Sequence, residues 1–402
     1  MASAGSRALP LVMALACGIG VANIYFTQAV TPLIAESLGI TADSAATVAT
    51  VTQLGYAVGI FLLVPLGDRL PRRPLIVALL ATTGLALLAC GLAPDFGPLL
   101  AASGVVGVAT VVPQLLLPMA AGLVDAERRG SVIGTLQGGL IGGILLARTF
   151  GGLLGAQFGW RAPYLVAAVL TLTLGCVLGL ALPTTPAATR DRYPKLLADT
   201  IRLLRAEPGL RRSVCYQGTL FAGFSAAWTC LALLISGPEY RMGAQVVGLL
   251  ALIGAASMLC APAAGRWVDR RGPDRVNLCS IAGIVCAAAV LAFGDLGALT
   301  GLIALVIGLL LLDIAIQCSQ IANQARIFAL RAEIRSRLNT AYMTCSFLGG
   351  SAGSWLGIRA FAWSGWLGVC GLLGCTALLT LLTHFQHRRR TAVTPLVTAT
   401  AR

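Results

Sequence analysis

The sequence predicts an all-α polytopic membrane protein, with twelve transmembrane helices in two pseudo-symmetric halves of six. Three observations carry this. Of 402 residues, 57% are hydrophobic and 11% charged, and the mean hydropathy is +0.86, more apolar surface than a soluble domain can bury. The basic residues stand in short gaps between long apolar runs. One gap, Val64 to Pro74, is echoed half a chain later, Asp269 following Asp68 by 201 positions, as in chains built from two related halves.

A helix needs about 20 apolar residues to cross the hydrocarbon. The first six candidates are Leu9–Val30, Ala46–Leu66, Leu75–Leu92, Leu99–Leu123, Val132–Leu154 and Tyr164–Leu182. The second six are Val214–Ile235, Val246–Ala264, Val276–Phe293, Leu299–Ile321, Ala341–Ile358 and Leu367–Leu382. The chain divides into an N-terminal bundle (1–183), a linker (184–212), a C-terminal bundle (213–387) and a basic tail (388–402). Arg7 and the apolar run to Cys17 imitate a cleaved leader, but the run continues to about Val30, longer than the 7–15 residues of a signal core. In the linker, Leu197, Ile201 and Leu204 recur at helical spacing, which fits an interfacial amphipathic helix and a solvated linker equally.

Orientation follows from the arginines. With both termini inside, 25 of the 29 lysines and arginines fall on the inner side, as expected for the cytoplasmic face of a bacterial inner (plasma) membrane. Arg161, Arg241 and Arg359 fall outside and Arg148 lies within a span. The net charge of +14 is thus spread over loops and gives no gathered basic face for nucleic acid. Twelve cysteines fall in apolar runs without metal-ligand spacing. His384 and His387 are placed past the last span, which leaves no buried histidine for a metal or catalytic centre.

The repeated gap carries a resemblance. Gly265, Asp269, Arg270 and Gly272 follow the pattern Gly-x-x-x-Asp-Arg-x-Gly-Arg-Arg, and Asp68, Arg69, Arg72 and Arg73 repeat its charges, with Val64 and Pro71 at its glycine positions. This pair resembles the loop signature of the major facilitator superfamily. The resemblance implies a secondary transporter in which Asp68 helps latch the two halves. The stretch from Gly143 to Gly152 resembles the superfamily's exporter motif, Gly-x-x-x-Gly-Pro-x-x-Gly-Gly, with Ala147 and Arg148 replacing Gly-Pro.

Two charges stand inside spans, Arg148 and Asp313, each costing about 2.5–3.5 kcal/mol at a helix centre. Arg148 has two readings of equal weight, a substrate or gating role and a structural contact. Asp313, Gln317, Gln320 and Gln324 lie on one face of helix 10, which must line water or a polar contact. In the superfamily helices 1, 4, 7 and 10 line the central cavity. By that resemblance Asn23, Tyr25, Thr27, Gln28, Gln114, Tyr216, Gln217 and Trp228 join the stripe as candidate substrate contacts, Gln53 and Tyr56 being secondary. As the one carboxylate in the spans, Asp313 is the candidate for proton coupling. Counted along their helices, Arg148 and Asp313 are separated in depth by roughly 12 Å, too far for an ion pair.

The expected function is alternating-access transport of a small neutral or cationic amphipathic solute, in the direction of proton-coupled efflux, by a monomer in the bilayer. No cofactor is expected and no nucleotide loop is present. An uptake permease and a non-transporting sensor of the same fold are the alternatives. A membrane enzyme would need a metal set or acidic pair, and the sequence offers neither.

Overall fold

The computed structural model describes residues 5–124, 126–185, 189, 191–330 and 334–399. The expected charges Arg190, Arg331 and Arg402 lie outside the described residues. Every regular element described is helical. In order, the first half contains α1 (Gly5–Tyr25), α2 (Thr27–Leu38), α3 (Ala42–Leu63), α4 (Leu66–Arg69), α5 (Arg72–Gly91), α6 (Phe96–Ala109), α7 (Val112–Gly122), α8 (Ala126–Phe158) and α9 (Arg161–Ala181). The linker helix α10 (Tyr193–Ala206) leads to α11 (Pro208–Ser236), α12 (Ala244–Gly254), a 3₁₀ turn (Ala255–Cys260), α13 (Ala261–Arg271), α14 (Pro273–Ala292), α15 (Ala298–Phe328) and α16 (Arg335–Ala399).

Among the described residues nine helices are long and apolar enough to span a membrane, or ten if the bent pair α1–α2 is taken as one span. The expected count of twelve differs at three places, each with a physical cause. The first expected span bends by 40° between α1 and α2, where Pro32 offers no N–H to the Gln28 carbonyl and the Thr31 hydroxyl bonds back to the Thr27 carbonyl. The eighth, Val246–Ala264, changes from α to 3₁₀ after Gly254 and is too short as a single α-helix. The last two run together in α16, broken only at Ser364 and Gly365, where Gly365 has φ +59°.

The half-chain echo extends into the packing. On α8, Gly139 and Gly143 lie so close to α1 that a Cβ on either would collide with the Ala14 or Gly18 carbonyl. On α16, Gly349 and Gly353 stand likewise against Gly218 and Ala222 of α11. Both seams use small residues four apart, which lets backbones approach where lipid gives no hydrophobic drive. Between the halves, α3 packs on α16 and α8 on α12. There Gly152 meets the Ala244 carbonyl and Gly248, and the Thr149 hydroxyl donates to the Gly248 carbonyl at 2.8 Å.

Two ends can be told apart. At the arginine-rich end, Thr189 N–H donates to the Asp68 carbonyl and Arg337, at the start of α16, pairs with Asp199 of α10 at 3.3 Å. At the arginine-poor end, Arg161 donates to the Ala93 carbonyl and the Tyr240 hydroxyl to the Gly294 carbonyl. The linker does form a helix, α10, which buries Leu196 and Thr200 against the bundle and leaves Ile201 exposed. The cysteines are all free, and Cys176, Cys215, Cys279, Cys286 and Cys375 are exposed on the outside of the bundle.

The glycine seam predicts a contrast between neighbours. Gly139→Val is expected to lower the thermal unfolding temperature in detergent, at a cost of about 1–3 kcal/mol from overpacking. A Cβ at Gly138 meets nothing within 4 Å, so Gly138→Val should show only the small loss shared by any β-branched residue in a helix.

Candidate functional site

Between the halves lies a central cavity of about 70 Å³ open to water. That is room for a few water molecules in this arrangement of the halves. Its walls come from eight elements, with Leu140 and Ile144 of α8 among the apolar lining. Tyr25 enters from the end of α1, Tyr56 from α3 and Gln114 from α7, just after the break at Thr110–Val111 that precedes Pro113. Opposite stand Gln217, Phe221 and Phe224 of α11, Asp313, Gln317 and Gln320 of α15, and Met343, Ser346 and Phe347 of α16. Ser257 lines it from the 3₁₀ turn, where non-α backbone is tolerated because it borders a cavity rather than lipid.

Toward the arginine-poor end a polar layer crosses the halves. The Arg148 guanidinium lies over the Trp228 ring, 4.0 Å from its centroid, and is flanked by Tyr25 at 5.0 Å and Phe224 at 5.8 Å. Arg148 Nε donates to Gln28 Oε1 at 2.8 Å, and Gln28 Nε2 donates to the Thr229 hydroxyl at 3.3 Å. Gln28 and Thr229 are themselves 201 positions apart. Thr229 shares a hydrogen bond with Ser354, whose hydroxyl donates to Gln53 Oε1 at 3.4 Å. The layer joins α2, α3 and α8 of one half to α11 and α16 of the other.

Trp228 also faces Asp313, donating from Nε1 to Oδ1 at 3.2 Å. The two buried charges therefore share one indole, its face toward Arg148 and its N–H edge toward Asp313. No N···O approach within 4.0 Å joins them, while Arg148 Nη2 and Asp313 Oδ2 are buried without hydrogen-bond partners. A separation of roughly 12 Å in depth, as ideal straight helices give, is too large for groups that touch the same ring. In the structure α8 runs on to Phe158 and α15 starts at Ala298, which brings the two depths to within roughly 7.5 Å, a gap that the long Arg148 side chain and the Trp228 ring span. Gly254 makes room for the carboxylate, since a Cβ there would strike Asp313 Oδ2.

Several expected cavity residues are elsewhere. Asn23 turns into the N-terminal half, donating to the Thr110 and Thr171 hydroxyls at 3.5 and 3.4 Å, and Thr27 bonds Tyr164. Gln28 and Trp228 belong to the layer above the cavity. Tyr216 lies at the arginine-rich end, where its hydroxyl accepts from Arg212 Nε at 3.0 Å. Gln324, one turn beyond Gln320, is not in the wall. Tyr25, Gln114, Gln217, Asp313, Gln317 and Gln320 do line the cavity. The residues the sequence reading missed on α16 and the 3₁₀ turn carried no signal, being single small polar, aromatic or Met positions in apolar runs.

The repeated gap also reads differently in space. Asp68 pairs with Arg72 at 3.6 Å and lines a small pocket whose far wall includes Arg337 of α16, while Arg337 itself pairs with Asp199. In the second copy Asp269 and Arg270 are exposed, and Asp274 takes the ion pairs, with Arg212 at 2.8 Å and with Arg326. Asp274 sits in the first turn of α14, where the helix dipole favours a carboxylate. Gly272 precedes it with φ +77°. His384 is a further correction: α16 runs past Leu382 and buries it against Tyr216, ring centroids 5.8 Å apart. Among the described residues no group of three or more His, Cys, Asp or Glu could hold a metal.

Helices packed as two similar seams around a closed polar cavity define the class, a polytopic transporter fold. The sequence pattern of the Major Facilitator Superfamily matches residues 11–354, and this chain belongs to that superfamily. It is 36% identical to the uncharacterized transporter YgaY of Escherichia coli O157:H7 over 96% of this chain and 98% of that one. It is 38% identical to the probable transporter SCO4007 of Streptomyces coelicolor over 90% and 83%. Among solved structures, the nucleoside transporter NupG aligns with a TM-score of 0.70 at 16% identity, covering 94% of this chain and 97% of that one, and shows the shared fold.

The ion cluster predicts which carboxylate supports the second half. Asp274→Asn leaves Arg212 and Arg326 facing each other and should lower the unfolding temperature in detergent. The loss is on the order of 1 kcal/mol, since the carboxylate is half exposed and screened. Asp269→Asn should leave that temperature unchanged.

Proposed function

We propose that the chain is a secondary active transporter that expels a small amphipathic organic solute by alternating access, in exchange for protons. The observation that carries this reading is Asp313, a buried carboxylate at the wall of the central cavity with one oxygen unpartnered. Intramembrane carboxylates are costly and mark ion or substrate pathways. Around it, Tyr25, Tyr56, Phe221, Phe224 and Phe347 offer ring faces and Gln114, Gln217, Gln317 and Gln320 offer amides. That mixture suits a solute with an aromatic or apolar body and a few hydrogen-bonding groups.

The direction is supported by relatives. The chloramphenicol resistance protein of Streptomyces lividans is 28% identical over 65% of this chain and 67% of that one. The multidrug resistance protein MdtG of Serratia proteamaculans is 26% identical over 61% and 62%. In a chain with a transporter's fold, similarity to resistance proteins is most simply read as removal of the compound. The arginine bias supports a plasma-membrane chain with both termini in the cytoplasm.

Reconstituted in proteoliposomes, the protein should move solute against its gradient when a pH gradient is imposed. Asp313→Asn is expected to abolish gradient-driven flux and to retain solute exchange. Normal gradient-driven flux in that variant removes Asp313 from the coupling. Asp68→Asn, which removes the charge from the pocket that lies between α4 and α16, should slow transport several-fold without reducing the amount of protein in the membrane, and unchanged flux would show that Asp68 does not gate the cycle.

A further inference from the structure

Among the described residues, Arg148 and Asp313 are the only buried side chains drawn from Lys, Arg, Asp and Glu. They are one of each sign and share Trp228, so the interior carries a matched charge without a direct ion pair. Matching matters because a lone buried charge is far more expensive than a compensated one. The groups that would recognise an organic cation are present: Tyr25, Phe224 and Asp313 face the cavity and the Trp228 ring adjoins them. Yet the same three rings already hold the Arg148 guanidinium, fixed through Gln28 on the side away from the cavity.

We infer that Arg148 sets the charge selectivity of the cavity: from behind Trp228 it neutralises Asp313, so the site takes uncharged solutes and disfavours organic cations. The inference rests on the reading of the cavity as the solute site and narrows its substrate class. An entering cation would meet a carboxylate already compensated and rings already engaged, and would leave the interior with a net positive charge. An entering anion would gain Arg148 only by leaving Asp313 uncompensated. Neutral solutes disturb neither. Removing either charge should therefore open the cavity to the ion of the sign removed.

The probes are tetraphenylphosphonium and tetraphenylborate, which share a shape and differ in sign. Their dissociation constants are measured on purified protein in nanodiscs, corrected for empty discs, and the ratio of the two is compared with wild type. Arg148→Gln should shift the ratio about tenfold toward the cation, and Asp313→Asn about tenfold toward the anion. The double variant should return to the wild-type ratio, and Arg148→Lys should keep it. Because the ratio cancels changes in size or stability, and the Asp313→Asn and Arg148→Lys arms do not depend on the folding of Arg148→Gln, a structural role alone would not produce this pattern. Binding of both ions with a ratio unchanged in every variant would overturn the role of Arg148 and leave the cavity as the solute site. Absence of binding by the two single variants as well as by wild type would likewise overturn the role of Arg148. Failure of the reading of the cavity as the solute site shows separately, as loss of all solute flux in the proteoliposome experiment above.

Discussion

A guanidinium and a carboxylate buried on two sides of one indole are the constraint around which the molecule is arranged. Neither charge survives alone in an apolar interior, so α8, α11 and α15 must hold Arg148, Trp228 and Asp313 in register. That requirement reaches into the backbone. Gly254 has no side chain where the Asp313 carboxylate stands, and the helix turns to 3₁₀ just beyond it. The bend of α1–α2 brings Gln28 to Arg148 at 2.8 Å.

The same residues close one end of the bundle. Arg148 on Trp228, Gln28 on Thr229 and Gln53 on Ser354 all run from one half to the other, and Gly152 lets α8 touch α12 nearby. Each is a modest contact by itself, interhelical side-chain hydrogen bonds in membranes averaging about 0.6 kcal/mol. Contacts of that size can be broken and remade in a transport cycle, whereas the glycine seams within each half bury continuous backbone and hold each half as a unit. The division between weak bonds across the halves and tight seams within them suits rocking about a central site.

Much of this was legible in the sequence. Hydropathy and the half-length echo gave the fold class, and the period of Asp313, Gln317 and Gln320 gave one wall of the cavity, because a polar stripe in an apolar helix has few places to face. Helix depth was less legible. Counting from the ends of the apolar runs put Arg148 and Asp313 too far apart, since α8 continues past Leu154 to Phe158 through residues whose hydropathy does not mark a helix end. Tyr216 and Asn23 were misplaced because a polar residue in a span satisfies itself equally by a cavity or by a neighbouring helix. The second loop motif misled in a different way: its aspartate, Asp269, is exposed, and the pairing carboxylate, Asp274, lies outside the motif at a helix N-terminus.

Alternating access requires the closed layer at the arginine-poor end to be one of two states. Double electron–electron resonance between spin labels at Ala42 of α3 and Trp363 of α16, both exposed beside that end, reads the distance between the halves there. Two populations are expected, one matching the closed arrangement and a longer one that grows when Arg148→Ala or Gln53→Ala weakens the layer. A single distance, unmoved by either substitution, would contradict alternating access through this end.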